Sequence, residues 1–272
     1  MPPKPTAAQC RLLIDPPAGG VWNMAVDEML LQWAATSGGC CWRFYRWEEA
    51  TLSLGYFQPY DDRQRHDASR NCPVVRRLSG GGAIVHDAEL TYSVVVPAGH
   101  PLARQRNLLY ETVHQGLIAA LADWKITARI CKDPPPLGPE QQPFLCFRRR
   151  APGDVLVGAV KIAGSAQRRR RGAVLQHGSV LLARSAAAPE CDGLAEIAGK
   201  LLSANALAEA WLDAIHGKLG VVRQDWPLSP QELRRAEAFA RSQYGCRQWT
   251  ENRQKPAGIG GAGHFDSGTQ NC

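Results

Sequence analysis

Apolar positions recur along this chain with two spacings, and the switches between them outline its elements. Residues 11–14, RLLI, read as a short strand closed by Asp15-Pro16-Pro17 and Gly19-Gly20. From Trp22 to about Ala35 the spacing is helical: Trp22, Ala25, Val26, Met29, Leu30 and Trp33 share one side, as in an amphipathic helix packed on a sheet. Strand patterns then crowd together at 40–47, 51–58, 73–80, 83–87 and 90–97, β-branched and aromatic with turn residues between them. Leu108, Leu109, Val113, Leu117, Ile118 and Leu121 predict a helix near 107–121, and the proline-rich stretch 132–143 predicts a loop. Residues 154–167 and 172–183 alternate like the arms of a hairpin with Arg168–Arg171 at its tip. Residues 194–219 and 230–244 read as helices, the second opened by Ser229-Pro230 as N-cap and first-turn pair. Strands in runs, with helices before, between and after, predict an α+β domain over residues 10–250 with a mixed, mostly antiparallel sheet and flanking helices. The glycine-rich stretch 254–272 is expected to be disordered.

Composition narrows the class. The 272 residues are 44% hydrophobic and 21% charged, an ordinary globular balance and enough chain for one continuous core. The sequence has no apolar run of about 18 residues, so no membrane span is expected. Its N-terminus lacks an apolar segment after a basic start, so no secretory signal is expected and the cytoplasm is the expected location. Nine cysteines are scattered without a C-x-x-C pair or a histidine at zinc spacing. That predicts reduced thiols and no structural metal. The formal charge of +7 predicts an acidic partner: nucleic acid, an acidic protein or a phosphorylated carrier. Arginines concentrate at Arg148–Arg150 and Arg168–Arg171, each run being either a solvated loop or a docking patch.

Three stretches carry candidate chemistry. In Arg76-Arg77-Leu78-Ser79-Gly80-Gly81-Gly82-Ala83-Ile84-Val85-His86-Asp87, consecutive glycines make either a tight turn or a place where backbone N–H groups approach a ligand. A strand pattern follows, not a helix, which excludes a Walker A loop and a Rossmann turn. Lys161 lies mid-strand among apolar neighbours, a costly position for an ammonium unless it faces a polar cleft or solvent. Gly158, Ala163, Gly164 and Ser165 leave room for a ligand beside it. Cys146 precedes Arg148, Arg149 and Arg150, whose field favours thiolate, although phenylalanine and leucine neighbours also suit an inert buried thiol.

Together these stretches resemble the lipoate–protein ligases and octanoyltransferases, a family related to the biotin ligases. RRLSGGGAIVHD followed by LTYSVVVP looks like one family signature, and VKIAGSAQ with LQHGSVLL looks like a second. WNMAVDEML and RFYRWEEATLSLGYFQ extend the similarity over about residues 10–245. The resemblance implies a biotin/lipoate ligase-like α+β fold and an acyltransferase that modifies a protein lysine. It implies Cys146 as the acyl acceptor, as in the cysteine-dependent octanoyltransferase branch, and Lys161 as the group holding the acyl carbonyl or phosphate. Arg76, Arg77, Ser79, Gly80, Gly81, Gly82, His86, Gly164, Ser165, Ala166 and His177 are implied to bind substrate. The implied partners are acyl carrier protein as donor and lipoyl domains of 2-oxoacid dehydrogenases or the glycine-cleavage H protein as acceptors, with the arginine runs steering these acidic proteins. Neither nucleic acid nor membrane is implied, and a monomer is expected. A thioester route needs no cofactor; ATP and Mg²⁺ enter only if the chain is instead a lipoate–protein ligase without the accessory domain, for which the residues after Leu182 leave little room. From other classes, a nucleic-acid module lacks aromatics interleaved with its arginines. A hydrolase pairing Cys146 with His177 or His86 lacks a readable third group. An inactive scaffold conflicts with the intact Lys161.

Overall fold

A computed structural model describes residues 10–254 apart from 106, 137 and 139–141; the stretch from 255 onward, expected to be disordered, lies outside the described residues. Strand β1 (Cys10–Ile14) leads into helix α1 (Gly20–Ser37), and β2 (Cys40–Tyr45) returns parallel to β1. Then come β3 (Thr51–Leu54), β4 (Val74–Arg76), β5 (Ile84–His86) and β6 (Glu89–Val96). Helices α2 (Pro101–Arg104) and α3 (Leu108–Ala122) precede β7 (Ala128–Ile130), β8 (Val155–Val157), β9 (Val160–Arg170) and β10 (Ala173–Leu181). The chain continues through α4 (Leu194–Ala198), α5 (Ala204–Leu219), β11 (Val221–Asp225), α6 (Pro230–Phe239) and α7 (Arg247–Asn252). Eight strands form one sheet in the order β11-β1-β2-β6-β10-β9-β8-β7, and a small sheet has the order β4-β3-β5. The parallel pairs are β11–β1, β1–β2 and β3–β4, and the other pairings are antiparallel. This is the mixed, mostly antiparallel α+β architecture that the alternating patterns predict.

Strand alternation sets the layers. Along β2, Trp42 and Phe44 face α3 and α5, where they pack with Val113, Leu117, Trp211 and Ile215. Cys41 and Tyr45 face the opposite way, into a core shared with Met29 and Leu30 of α1 and Ala236 of α6. Trp42 and Trp211 are fully buried in edge-to-face contact; burying such side chains contributes about 2–3 kcal/mol each. A third cluster joins the small sheet to the segment before Cys146 through Leu54, Ala83, Phe144 and Leu145. It brings the triple-glycine stretch and the Cys146 stretch to one place.

Several boundaries differ from the pattern-based expectation. Residues 154–167 form not one strand but β8 and the start of β9, because Gly158 at φ +57° reverses the chain between Val157 and Val160. Arg168–Arg170 belong to β9, so the hairpin tip is only Arg171 and Gly172, both left-handed at φ +48° and +80°. Residues 194–219 are two helices, since α4 stops at left-handed Gly199 and α5 restarts on Ser203, whose hydroxyl accepts from the Ala206 N–H. Strands β7 and β11 and helix α7 are too short to show a period in sequence. Among the described residues no helix is long and apolar enough to cross a membrane.

Candidate active site

The triple-glycine turn is laced to the cysteine segment by backbone. The Ala83 N–H donates to Phe144 O at 3.1 Å and the Cys146 N–H donates to Ala83 O at 2.7 Å. A Cβ on Gly82 would stand 3.3 Å from the Cys146 Cα, tighter than ordinary contact, so glycine permits this approach. Arg77 pins the turn from below, donating to Gly80 O at 2.9 Å and Gly82 O at 2.7 Å, and to Ser53 on β3. These contacts seat Cys146 at the start of a short 3-10 turn, Cys146–Arg148, partly exposed to a cleft of about 2460 Å³.

Lys161 reaches the same cleft because β9 contains a bulge. Leu156 of β8 pairs with Lys161 but the adjacent Val155 pairs with Ala163, leaving Ile162 as an extra residue. Ile162 and Ala163 both enter the core under α3 and α5. Without the insertion Lys161 would point into that core; with it, the side chain emerges on the cleft side. There Lys161 is 4% exposed. Its Nζ lies 3.5 Å from Cys146 Sγ, 3.3 Å from Cys146 O and 2.9 Å from Asp154 Oδ2. Gly164 makes space for it, since a Cβ there would stand 2.5 Å from Lys161 Cε.

The electrostatics favour a charged pair. Burial opposes ionisation of Cys146, but Lys161 and Arg149, with a smaller contribution from Arg77, outweigh both burial and Asp154 and hold the thiol below its ordinary range. Burial likewise disfavours the Lys161 ammonium, yet the Cys146 and Asp154 charges overcompensate and raise its pKa. Such a site holds a nucleophile and, beside it, a cation able to stabilise an oxyanion.

The other predicted residues divide. Gly80, Gly81, Gly82, Arg77, His86, Gly164, Ser165, Ala166 and His177 all border the cleft. Arg76 does not border it; its buried guanidinium donates to the carbonyls of Gly55, Tyr56, Gln58 and Thr250 and so fastens the β3–β4 region to α7. Ser79 lies behind the cleft, 2.5 Å from His177 Nε2. His177 Nδ1 faces Asp27 Oδ2 at 2.9 Å, and Asp27 also pairs with Arg43. Burial raises the Asp27 pKa, but His177 and Arg43 bring it below the ordinary range, so it is a carboxylate that only accepts. The proton therefore sits on His177 Nδ1. His86 is matched in the same way, between Glu89 Oε1 at 2.7 Å and Ser53 Oγ at 2.8 Å, with its ring stacked 4.0 Å from Trp47. Both histidines have both nitrogens occupied and line the cleft. Among the described residues Cys146 pairs with Lys161 and not with a histidine.

Arg149, one of the arginines after Cys146 expected to favour its thiolate, does so, whereas Asp154, Asp27, Glu89 and His114 carry no such signal in the sequence. Each is an ordinary residue whose role is set by the contact the fold gives it, for Asp27 and His114 with partners far along the chain. His114 of α3 illustrates this: Nδ1 lies 2.5 Å from Gly153 O, and Nε2 lies 2.6 Å from Ser165 Oγ. A carbonyl only accepts, so Nδ1 carries the proton and Ser165 donates to Nε2. Burial chiefly, with Lys161, pushes the His114 pKa from 6.5 down to about 4, against the favourable Gly153 bond. The neutral ring thus gives stability that is complete above its unfolded pKa. That stability is lost as pH falls from about 6.5 through 4, a difference of about 3 kcal/mol. Thermal unfolding between pH 7 and pH 4 should show this loss, and His114→Gln should flatten the profile; an unchanged slope in the variant would assign the acid sensitivity elsewhere.

The fold and site define a class: an α+β catalytic domain with a thiol–amine pair in an open cleft. Within that class, the chain belongs to the lipoyl protein ligase A/B catalytic domain family, whose model matches residues 20–191. Over 178 residues it is 35% identical to octanoyltransferase LipM of Clostridioides difficile, a match covering 64% of this chain and 66% of that protein. The chain thus spans just under two thirds of that relative. It is 29% identical over 270 residues to octanoyltransferase LipM of Geobacillus kaustophilus, covering 88% of this chain and 95% of that one. Its fold is similar to the bi-partite lipoate protein ligase of Thermoplasma acidophilum, described with its E2 lipoyl domain, at a TM-score of 0.69 and 19% identity over 89% of this chain and 96% of that one.

Proposed function

We propose that the protein is an octanoyltransferase of protein lipoylation, moving an octanoyl group from acyl carrier protein through Cys146 to a lysine of a lipoyl domain or glycine-cleavage H protein. The observation that carries this reading is the 3.5 Å approach of Lys161 Nζ to a partly exposed Cys146 Sγ beside the triple-glycine turn. The relatives named octanoyltransferase support the acyl group and the reaction type.

In the first half-reaction the Cys146 thiolate attacks the donor thioester carbonyl. A C–S bond to Cys146 forms, the donor's C–S bond breaks, and the donor leaves as a thiol after taking a proton. One thioester replaces another at nearly equal energy, so no ATP is consumed. Lys161 stabilises the oxyanion that develops on the carbonyl. In the second half-reaction the acceptor's neutral lysine amine attacks. A C–N bond forms, the Cys146 C–S bond breaks, the nitrogen gives up one proton, and the amide leaves with the thiolate restored. Gly80–Gly82, with Arg77 and Ser79 supporting the turn, and His86 and His177 wall the acyl pocket. Gly164, Ser165 and Ala166 border the arm that delivers it. Thiolate chemistry of this kind suits the reducing cytoplasm.

The test offers octanoyl carrier protein and a lipoyl domain without ATP, and separately lipoate with ATP and Mg²⁺. Octanoyl-lysine, read by intact mass, is expected only in the first reaction. Modification only in the second would replace this reading with an ATP-dependent ligase.

A further inference from the structure

The chain's excess of positive charge is confined to one place. Eleven Lys and Arg side chains and four carboxylates border the cleft. The whole sequence has 32 basic and 25 acidic residues, so the remainder carries 21 of each and is neutral on balance. Two of the four carboxylates are already committed: Asp154 to Lys161, and Glu28 to Arg170 at 3.2 Å. Part of the surplus lies on the border of the cleft formed by Arg168 at the end of β9, Arg171 at the hairpin tip, Arg235 on α6 and Arg253 after α7, a border we call the rim. None of these four makes an ion pair among the described residues. Arg235 donates instead to the Gln32 amide and Arg168 lies 5.5 Å from the centre of the Tyr56 ring, while Arg169 points to the other face of β9, where it donates to Ala103 O. Next to Tyr56, Phe57 is 51% exposed on the same rim, in edge contact with it.

The sequence run Arg148–Arg150 does not join this rim. Arg148 is tied to Glu190 O, and Arg149 turns toward Cys146, held by the Gln142 side chain. Of the two arginine runs, Arg168–Arg171 borders the cleft, and the other reaches the active site through Arg149.

Resting on the octanoyltransferase reading, we propose that the rim Arg168, Arg171, Arg235 and Arg253, with Phe57 as its apolar contact, docks the acyl donor: an acidic carrier domain whose thioester hangs on a phosphodiester-linked arm. The charge of the inserted arm decides between the two protein substrates. A phosphodiester entering this cleft is drawn in, whereas the ε-ammonium of an acceptor lysine is repelled by the same field and has to shed its proton before it reacts. Unpaired arginines on a rim suit a partner met by steering: they raise the encounter rate, and salt screens them over about 8–10 Å.

The experiment compares two donors on the full chain: octanoyl carrier protein, and the phosphate-free octanoyl N-acetylcysteamine thioester. Arg168→Glu/Arg171→Glu should raise KM for the carrier-linked donor at least about tenfold with kcat within about twofold, and leave Cys146 acylation by the small thioester unchanged. Arg168→Gln/Arg171→Gln should give an intermediate KM. Raising salt from low to high ionic strength should weaken wild type toward the reversed variant and leave that variant nearly flat. Equal effects on both donors, no effect on either, or a rise confined to the KM for the acceptor domain would each overturn the assignment. A wild-type chain that acquires no acyl group on Cys146 from either donor would instead remove the catalytic reading while leaving the rim's affinity for the acidic carrier measurable.

Discussion

Cys146→Ala should fold normally and lose octanoyl transfer by on the order of 10⁴-fold or more, with no acyl adduct on the protein after incubation with octanoyl carrier protein. The fold should survive because the segment is held through backbone, by the Cys146 N–H on Ala83 O and the Ala83 N–H on Phe144 O, and not through sulfur. Cys146→Ser should fail almost as completely. A hydroxyl is far less acidic than a thiol, and Lys161 stabilises an anion at this position without being a base that could create one. Intact mass before and after hydroxylamine reads the result. Wild type should carry a labile octanoyl group; a hydroxylamine-stable adduct, or one persisting in the alanine variant, would place the acyl group elsewhere and end the thioester route.

Lys161→Met should lower the acylation rate by about 10²–10³-fold by removing the cation at the developing oxyanion. It should also move the pH profile of Cys146 alkylation upward. Burial opposes the thiolate, and Lys161 is the strongest of the charges that overcome it. Because the wild-type thiol is depressed, its alkylation should persist at pH values where an ordinary cysteine is already protonated. The substitution also strands Asp154, which is 5% exposed and loses the cation at 2.9 Å. Leaving half of such a buried pair costs about 3–5 kcal/mol. Lys161→Met/Asp154→Asn should therefore recover stability without recovering rate, which separates the two effects. Gly164→Ala, with Lys161 left intact, should imitate the rate loss by pushing the lysine away from the sulfur. A variant lysine position that changed stability but neither rate nor alkylation profile would reduce Lys161 to a structural residue.

Much of the architecture was legible because long elements carry a period. The helical spacing of Trp22 to Trp33 and the alternation at 40–47 and 90–97 correspond to α1, β2 and β6, which build the two core layers. Elements of three residues, such as β7 and β8, have no room for a period, and the two-residue turns at Gly158 and Arg171 show themselves only through left-handed backbone. The two motifs with chemistry were likewise visible as residue types: glycines with nothing to pack, and a lysine where an ammonium is uncomfortable.

The sequence by itself determined the α+β class, the mixed sheet, the family resemblance and the identity of Cys146 and Lys161 as the residues to watch. Only the tertiary structure decided that they meet. A bulge at Ile162 turns Lys161 out of the core, Gly164 and Gly82 leave the space through which sulfur and nitrogen approach, and Asp154 holds the ammonium in place. It also decided which arginines face the cleft and which brace the backbone, a distinction invisible in a run of identical letters. The physical reason is range. Periodicity and residue chemistry are set by neighbours a few positions away, whereas a thiolate's stability depends on charges within several ångströms that the chain supplies from positions 77, 149 and 161 alike.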